Sequence, residues 1–359
     1  ELIQFEDRAG HSLVLSSSHL EPITQLARMS ISSYRDLPRF LYQFKTKFRD
    51  EDKVRCGLFR AKEFTMKDAY SFHRSYTDLN NFFPKVFKAY NTIFRKCGLK
   101  TVAAESAVGS LSGDRAYEFL MPCDWGDNLV ISCPSCDYHA NIDVAVGDKA
   151  KYNEIPLPSE EVETPGCDSK EKLMDYLGVS AEKVAMTSLY KTLNGWALVV
   201  CRGDYEVSPE KLSRLLEEPV VALATAEEVE EQGLVPGYLF PSNEISGYRL
   251  VVDDAVAETN NLIVGADKPE VHIRNANFGM DFESNIVGDI ARIHGDDKCL
   301  RCGKKMVEKK AIEIGNIFKL GDFYSKSMGL SFTEEDGEVA QPHMGSYGIG
   351  MGRLITAIV

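Results

Sequence analysis

Four of the nine cysteines fall in two Cys-x-x-Cys pairs, Cys133/Cys136 and Cys299/Cys302, more than 160 residues apart. Each pair can supply half of a tetrahedral thiolate site, and two such knuckles close a four-thiolate zinc site. The separation is too long for a simple ribbon. If the pairs meet, the chain leaves one place and returns to it, so the block between them is an insertion. The alternative is four reduced surface thiols. Such pairs without an export segment point to a reducing compartment, and a cytoplasmic protein is expected. Glu1–Glu6 lack a basic-then-apolar stretch, so no secretion signal is expected. No run approaches about 18 apolar residues, so no membrane span is expected. Cys56, Cys97, Cys123, Cys167 and Cys201 are scattered and read as small apolar fillers.

The patterning supports an insertion. At 359 residues the chain is long enough for about two domains of roughly 150 residues. Its net charge of −13 argues against a surface coated in positive charge for nonspecific nucleic-acid binding, though a local basic face stays open. Residues 1–149 and 297–359 read as two parts of one body, with residues 150–296 as a domain inserted between them. In the first part, Leu79, Phe82, Phe83, Val86, Phe87, Tyr90, Ile93, Phe94 and Cys97 recur at three- and four-residue spacing within residues 77–97. Pro84 argues for a start near Asn81, and Gly98 for a stop. Residues 153–178 read as an acidic, proline-punctuated linker carrying Pro156, Pro158, Pro165, Glu160, Glu161 and Glu163. A short helix is expected at 170–177. Strands are expected at 196–201, 219–224, 248–252 and 271–274, and helix starts at Ser208-Pro209 and at the Thr225 capping box.

The chemistry concentrates in residues 48–68. Arg49 and Glu51 precede a loop, after which Arg60, Phe64 and Asp68 follow at four-residue intervals. Two antiparallel strands joined by a loop would place alternate side chains on one face. A plain solvated hairpin with salt bridges is the bland reading. Near the other end, Gly345, Gly348, Gly350 and Gly352 lead into Arg353, a small-residue run that lets backbone approach a ligand closely.

Together these segments resemble motifs 2 and 3 of class II aminoacyl-tRNA synthetases. The resemblance implies an α+β fold, an antiparallel sheet flanked by helices, with an inserted α/β domain of editing type. It implies ATP and Mg²⁺ as cofactors. Arg49 would sit at the α-phosphate, Glu51 and Phe64 on adenine, Arg60 at the far phosphates and Arg353 on the γ-phosphate. Residues 57–73 and Ile312–Gly321, with Tyr324-Ser325 following, resemble the bacterial type of prolyl-tRNA synthetase. That implies proline and tRNA(Pro) as substrates, a homodimer in the complete protein, motif 1 before residue 1 and an anticodon-binding domain after residue 359. Ser18, Asp68, Tyr70, Phe72, His73 and Ser346 become candidates for the proline pocket. Gly237, Pro241, Gly265 and His272 become candidates for an editing pocket.

The chain departs from that family at several places. The family's Thr-His-Glu is Ser18-His19-Leu20 here, with Glu21 one place later, and its Gly-His-Ile-Phe is Gly315-Asn316-Ile317-Phe318. The segment Gly109-Ser110-Leu111-Ser112-Gly113 precedes Tyr117-Glu118-Phe119 where the family has His-Glu-Phe, and Met186 replaces its editing lysine. Two rival readings stand beside a proline–tRNA ligase. One is a synthetase-like binding or regulatory protein that has lost activation. The other is a deacylase of mischarged tRNA acting through the inserted domain.

Overall fold

The computed structural model describes residues 2–51, 54, 57–107, 115–242 and 247–359. Cys56 and the Gly109–Gly113 segment lie outside them. The chain divides into two compact units, one of Glu1–Val130, His139–Asn141 and Glu308–Val359, the other of Ile131–Tyr138 and Ile142–Val307. The second is wider than the expected insertion and takes in both cysteine pairs. Among the described residues, no helix is long and apolar enough to cross a membrane.

The first unit is built on an eight-stranded sheet. Its order begins with Arg39–Phe48, Glu63–His73, His343–Gly350, Val307–Gly321, Arg115–Pro122 and Val102–Ser106. These six pair antiparallel throughout. The Arg39–Phe48 and Glu63–His73 ladder ends at Phe48↔Glu63. It is shorter on the loop side than the expected pairing of 44–51 with 58–68, so Arg49 and Glu51 lie just beyond it. The Arg49 amide still reaches the Lys62 carbonyl at 2.9 Å.

One sheet face packs on the helix Tyr76–Lys96, whose Phe83, Val86, Tyr90 and Phe94 meet Phe119, Ile317 and Tyr347. On the other, Leu20, Ile23 and Ala27 of the helix Leu20–Arg28 meet Tyr70, Phe72 and Met344. The long helix starts at Tyr76, capped by the Ser75 side chain, so Pro84 is interior rather than in a first turn. An interior proline costs about 3 kcal/mol. Five buried apolar side chains on both sides of it outweigh that, at about 1.5–3 kcal/mol each. The carbonyl partner Pro84 cannot serve belongs to Asn80, whose side chain accepts a 2.5 Å hydrogen bond from Lys319. Gly98, at φ 79°, ends the helix in a conformation that suits glycine.

The second unit holds a mixed five-stranded sheet in the order Val220–Leu223, Ala185–Thr192, Gly195–Arg202, Tyr248–Asp253, Ile286–Gly288. A three-stranded antiparallel sheet orders Leu262–Gly265, Val271–Ala276 and Glu160–Glu163. Glu160–Glu163 thus corrects the linker reading: the acidic residues form an edge strand, their backbone paired to Val271–Arg274. Charge at an edge is compatible with solvent on one side and a ladder on the other. The helices at Lys170–Leu177, Pro209–Leu216 and Ala226–Glu231 lie where expected, the last two capped by the Ser208 and Thr225 hydroxyls.

Composition gave no hint of the charge cluster inside this unit. The Lys149 ammonium lies 2.8 Å from Asp253, 2.6 Å from Asp254 and 2.9 Å from Asp289. Asp253 is fully buried and also accepts the Ala255 and Ile290 amides, at 3.0 Å each. Burial alone would depress Lys149, but Asp253 and Asp289 outweigh it and hold the ammonium charged. Removing one partner of such a cluster leaves uncompensated buried charge. Lys149→Met is therefore expected to destabilise the second unit by about 3–5 kcal/mol, read as a lower urea midpoint. An unchanged midpoint would show that water, rather than Lys149, compensates the aspartates.

Candidate active site

A strand with a period of two sends every second side chain to one face. Along Glu63–His73 this places Phe64, Met66, Asp68, Tyr70 and Phe72 in one line. Across the sheet, one register row on the same face runs Gln43, Asp68, Gly348, Asn316, Glu118, Ala104. The next rows pair Met66 with Gly350 and Tyr70 with Ser346. Polar groups from distant parts of the chain thus share one floor. Gly348 keeps that floor open: a Cβ there would stand 2.7 Å from the Met66 methyl and 2.9 Å from the Asn316 oxygen.

At the Phe64 end a cleft is lined by Arg49, Glu51, Phe59, Arg60, Phe64, Glu313, Asn316 and Arg353. All five sequence-derived ATP candidates meet there. The Arg49 guanidinium lies 5.3 Å from the Phe64 ring centre. Arg60 donates from Nε and Nη2 to Glu51 Oε2, each at 2.7 Å, and its Nη1 lies 3.5 Å from Asp127. Arg353 Nη1 meets Glu313 Oε2 at 2.9 Å, and its Nε donates to the Phe59 carbonyl at 3.3 Å. A bulge between Glu313 and Gly315 shifts the ladder there. The Asn316 amide then donates to Glu313 Oε1 at 2.8 Å. Arg60 and Arg353 thus each sit beside a carboxylate, oriented before any anion arrives, while Arg49 lies over the Phe64 ring.

At the other end Asp68 gathers polar groups. Lys47 lies 2.7 Å from it, the Tyr70 hydroxyl donates to it at 3.1 Å, and His19 Nδ1 stands 3.7 Å away. Burial and Asp68 both drive the Tyr70 hydroxyl well above the usual phenol range. Leu20 turns into the core while Glu21 stays exposed. Glu21 contributes its negative charge to the upward shifts of both Tyr70 and Tyr324. Ser18 accepts the Leu20 amide at 3.3 Å at the start of that helix.

The structure does not bring His73 to this group. Its parity places it on the opposite face, where it is buried against Phe82 and bonded to Asp78 and Ser71 at 3.0 and 2.9 Å. Lys47 and Asp127 were missed from sequence, although Lys47 sits two residues before Arg49, near the end of the strand that leads to it.

In the second unit the editing candidates cluster through Tyr238. Gly265 pairs with His272, whose ring lies 5.1 Å from that of Tyr238. A Cβ on Gly265 would strike the Tyr238 backbone at 2.3 Å, and one on Gly237 the Asp168 carbonyl at 2.6 Å. Pro241 is buried at the end of the same loop. His272 shares a 2.7 Å hydrogen bond with the Thr164 hydroxyl, and burial pushes its pKa down to about 4, so it is neutral. Met186 packs against Cys167, Leu173, Val184 and Ile263.

Glu118 completes the floor. It accepts from Ser106 at 2.5 Å and from Asn141 at 3.0 Å. Burial, and then the Glu313 charge, push its pKa up to about 7 from 4.5. A carboxyl raised on folding contributes stability that is full below about pH 4.5 and is lost as pH rises through about 7. Glu118→Gln, always neutral, should flatten the stability–pH curve between those limits and be no less stable than the parent at pH 8. Urea titrations across that range read it, and a slope unchanged by the substitution would assign the dependence to another group.

Known proteins resemble this chain along its whole length. The proline–tRNA ligases of Salinispora tropica and Fusobacterium nucleatum are each 38% identical, over 368 and 366 residues, and that of Thermoanaerobacter pseudethanolicus is 37% identical over 366. Each alignment takes in 100% of this chain, which spans 62–64% of the length of these relatives. The sequence profile of the tRNA synthetase class II core domain (G, H, P, S and T) matches residues 3–359, and the chain belongs to that family.

Proposed function

We propose that this chain is the catalytic part of a proline–tRNA ligase. It activates proline with ATP and passes the prolyl group to tRNA(Pro). The observation that carries this reading is the single sheet face running from Phe64 to Phe72, with nucleotide-side arginines at one end and the Asp68 group at the other. The carboxylate of proline attacks the α-phosphate, the bond to the β-phosphate bridging oxygen breaks, and pyrophosphate leaves. A 3′-terminal ribose hydroxyl of the tRNA then takes the prolyl group and AMP departs. Such chemistry is mostly positioning and charge stabilisation.

Arg49 would neutralise the α-phosphate and Arg353 the γ-phosphate, with adenine between Phe64 and Glu51. Mg²⁺ takes oxygen ligands from one or two carboxylates plus phosphates. Glu313, which lines the cleft, and Glu118, in register with Asn316 of the cleft, are the carboxylates that would hold it. When bound, the ion neutralises charge on the leaving pyrophosphate. Ser18, Tyr70, Phe72 and Ser346 with Asp68 would form the proline pocket. With Leu20 buried in the core, Glu21 would supply the anionic partner of the imino group.

For the second unit the proposal is an inserted editing-type domain, residues 150–296 in the sequence reading. Met186 in an apolar cluster speaks against deacylation as the main activity. Tyr42 and Phe44, 68% and 59% exposed on the outer strand of the sheet, favour a homodimer in the complete, cytoplasmic protein.

Proline-dependent exchange of pyrophosphate into ATP by the complete protein tests the reading. ATP binding without exchange for any amino acid would select the regulatory alternative instead. Glu21→Gln removes one charge-assisted hydrogen bond worth about 1.5–3 kcal/mol. It should lower kcat/KM for proline by about 10- to 100-fold while leaving ATP binding intact. An unchanged value would return the imino contact to another group.

A further inference from the structure

We propose that Cys133, Cys136, Cys299 and Cys302 hold one structural Zn²⁺ within the second unit. The four sulfurs lie within 4.8 Å of one another. Cys133 Sγ is 3.4 Å from Cys302 Sγ, and Cys136 Sγ is 3.7 Å from Cys299 Sγ. Zn–S bonds of about 2.3 Å in a tetrahedron set neighbouring sulfurs about 3.8 Å apart. The thiols therefore stand at the separation a single ion requires.

The backbone makes the same case independently. The Cys133 amide donates to the Tyr138 carbonyl at 2.9 Å, and the Cys299 amide to the Lys304 carbonyl at 2.8 Å. Both loops close between the first cysteine and the fifth residue after it, although their sequences, Pro-Ser and Leu-Arg between the cysteines, share nothing. In the second, Gly303 at φ 72° turns the chain, and its amide donates to the Cys299 carbonyl at 2.7 Å. The first cysteine of each loop is buried, Cys136 is half-buried and Cys302 is exposed. Two unlike segments thus present the same hairpin to one point.

Four protein ligands leave no open position, so the ion has no catalytic duty. None of the four cysteines lines the nucleotide cleft. The site ties together chain positions 163 residues apart, and the metal would hold that closure. This inference stands apart from the proline–tRNA ligase reading.

The test is metal analysis of the complete protein, purified under reducing conditions with zinc supplied. The expected result is about one zinc per chain. Replacement by Co²⁺ should give the thiolate charge-transfer and tetrahedral ligand-field bands of a four-sulfur site. Cys299→Ser and Cys302→Ser should lose most of the metal while still binding ATP, and Cys97→Ser should keep it. The cobalt spectrum needs only the parent protein, so it decides even if a serine variant fails to fold. A metal-free parent, iron in place of zinc, disulfides in the reduced protein, or a Cys299→Ser variant with full zinc content would each overturn the proposal.

Discussion

The ladder between Glu63–His73 and His343–Gly350 is the constraint on which the first unit depends. It joins segments some 280 residues apart and puts their alternation in phase. One step of slippage would send Asp68 and Tyr70 to the opposite face and bring Ala69 and Ser71 to the floor. Register is held from both sides of the sheet. Tyr347 packs under the long helix on one face, and Met344 packs with Phe72 and Leu20 on the other.

On that frame, electrostatics organise the cleft before a ligand enters. Arg60 is tied to Glu51, and Arg353 to Glu313 and the Phe59 carbonyl. These contacts hold long side chains in defined positions, so less rotamer freedom remains to be lost when an anion arrives. Burial first, and then the negative charge of Glu313, push the pKa of Glu118 on the same floor up to about 7. Polar groups are thus paired in opposite signs along a face whose centre, Gly348, carries no side chain.

The second unit solves a different problem. Its sheet core of Leu198, Val200, Leu250 and Val252 is apolar. Around the end of the Tyr248–Asp253 strand, however, it buries a lysine among three aspartates. Asp253 there ties the Ala255 and Ile290 amides, so the ion cluster also satisfies backbone groups from two segments. At the editing-type loop, glycines at 237 and 265 allow backbone to lie on backbone where a Cβ would collide.

Local pattern alone determined much of this. The 3.6-residue stripe of the long helix, the caps at Ser208 and Thr225, and the alternating β segments all depend on neighbours within a few positions, and each was legible. The spaced Arg49, Glu51, Arg60, Phe64 and Arg353 were legible as a set because short motifs carry their own spacing. What tertiary structure decided were the matters of parity and distance. His73 belongs to the opposite face because strand register, set by partners far along the chain, assigns it there. Pro84 is tolerated mid-helix because packing on both sides outweighs one missing hydrogen bond. Glu160–Glu163 is a strand because Val271–Arg274 offers it a ladder. Lys149 and its three aspartates lie more than 100 residues apart in sequence, so only folding could bring them together.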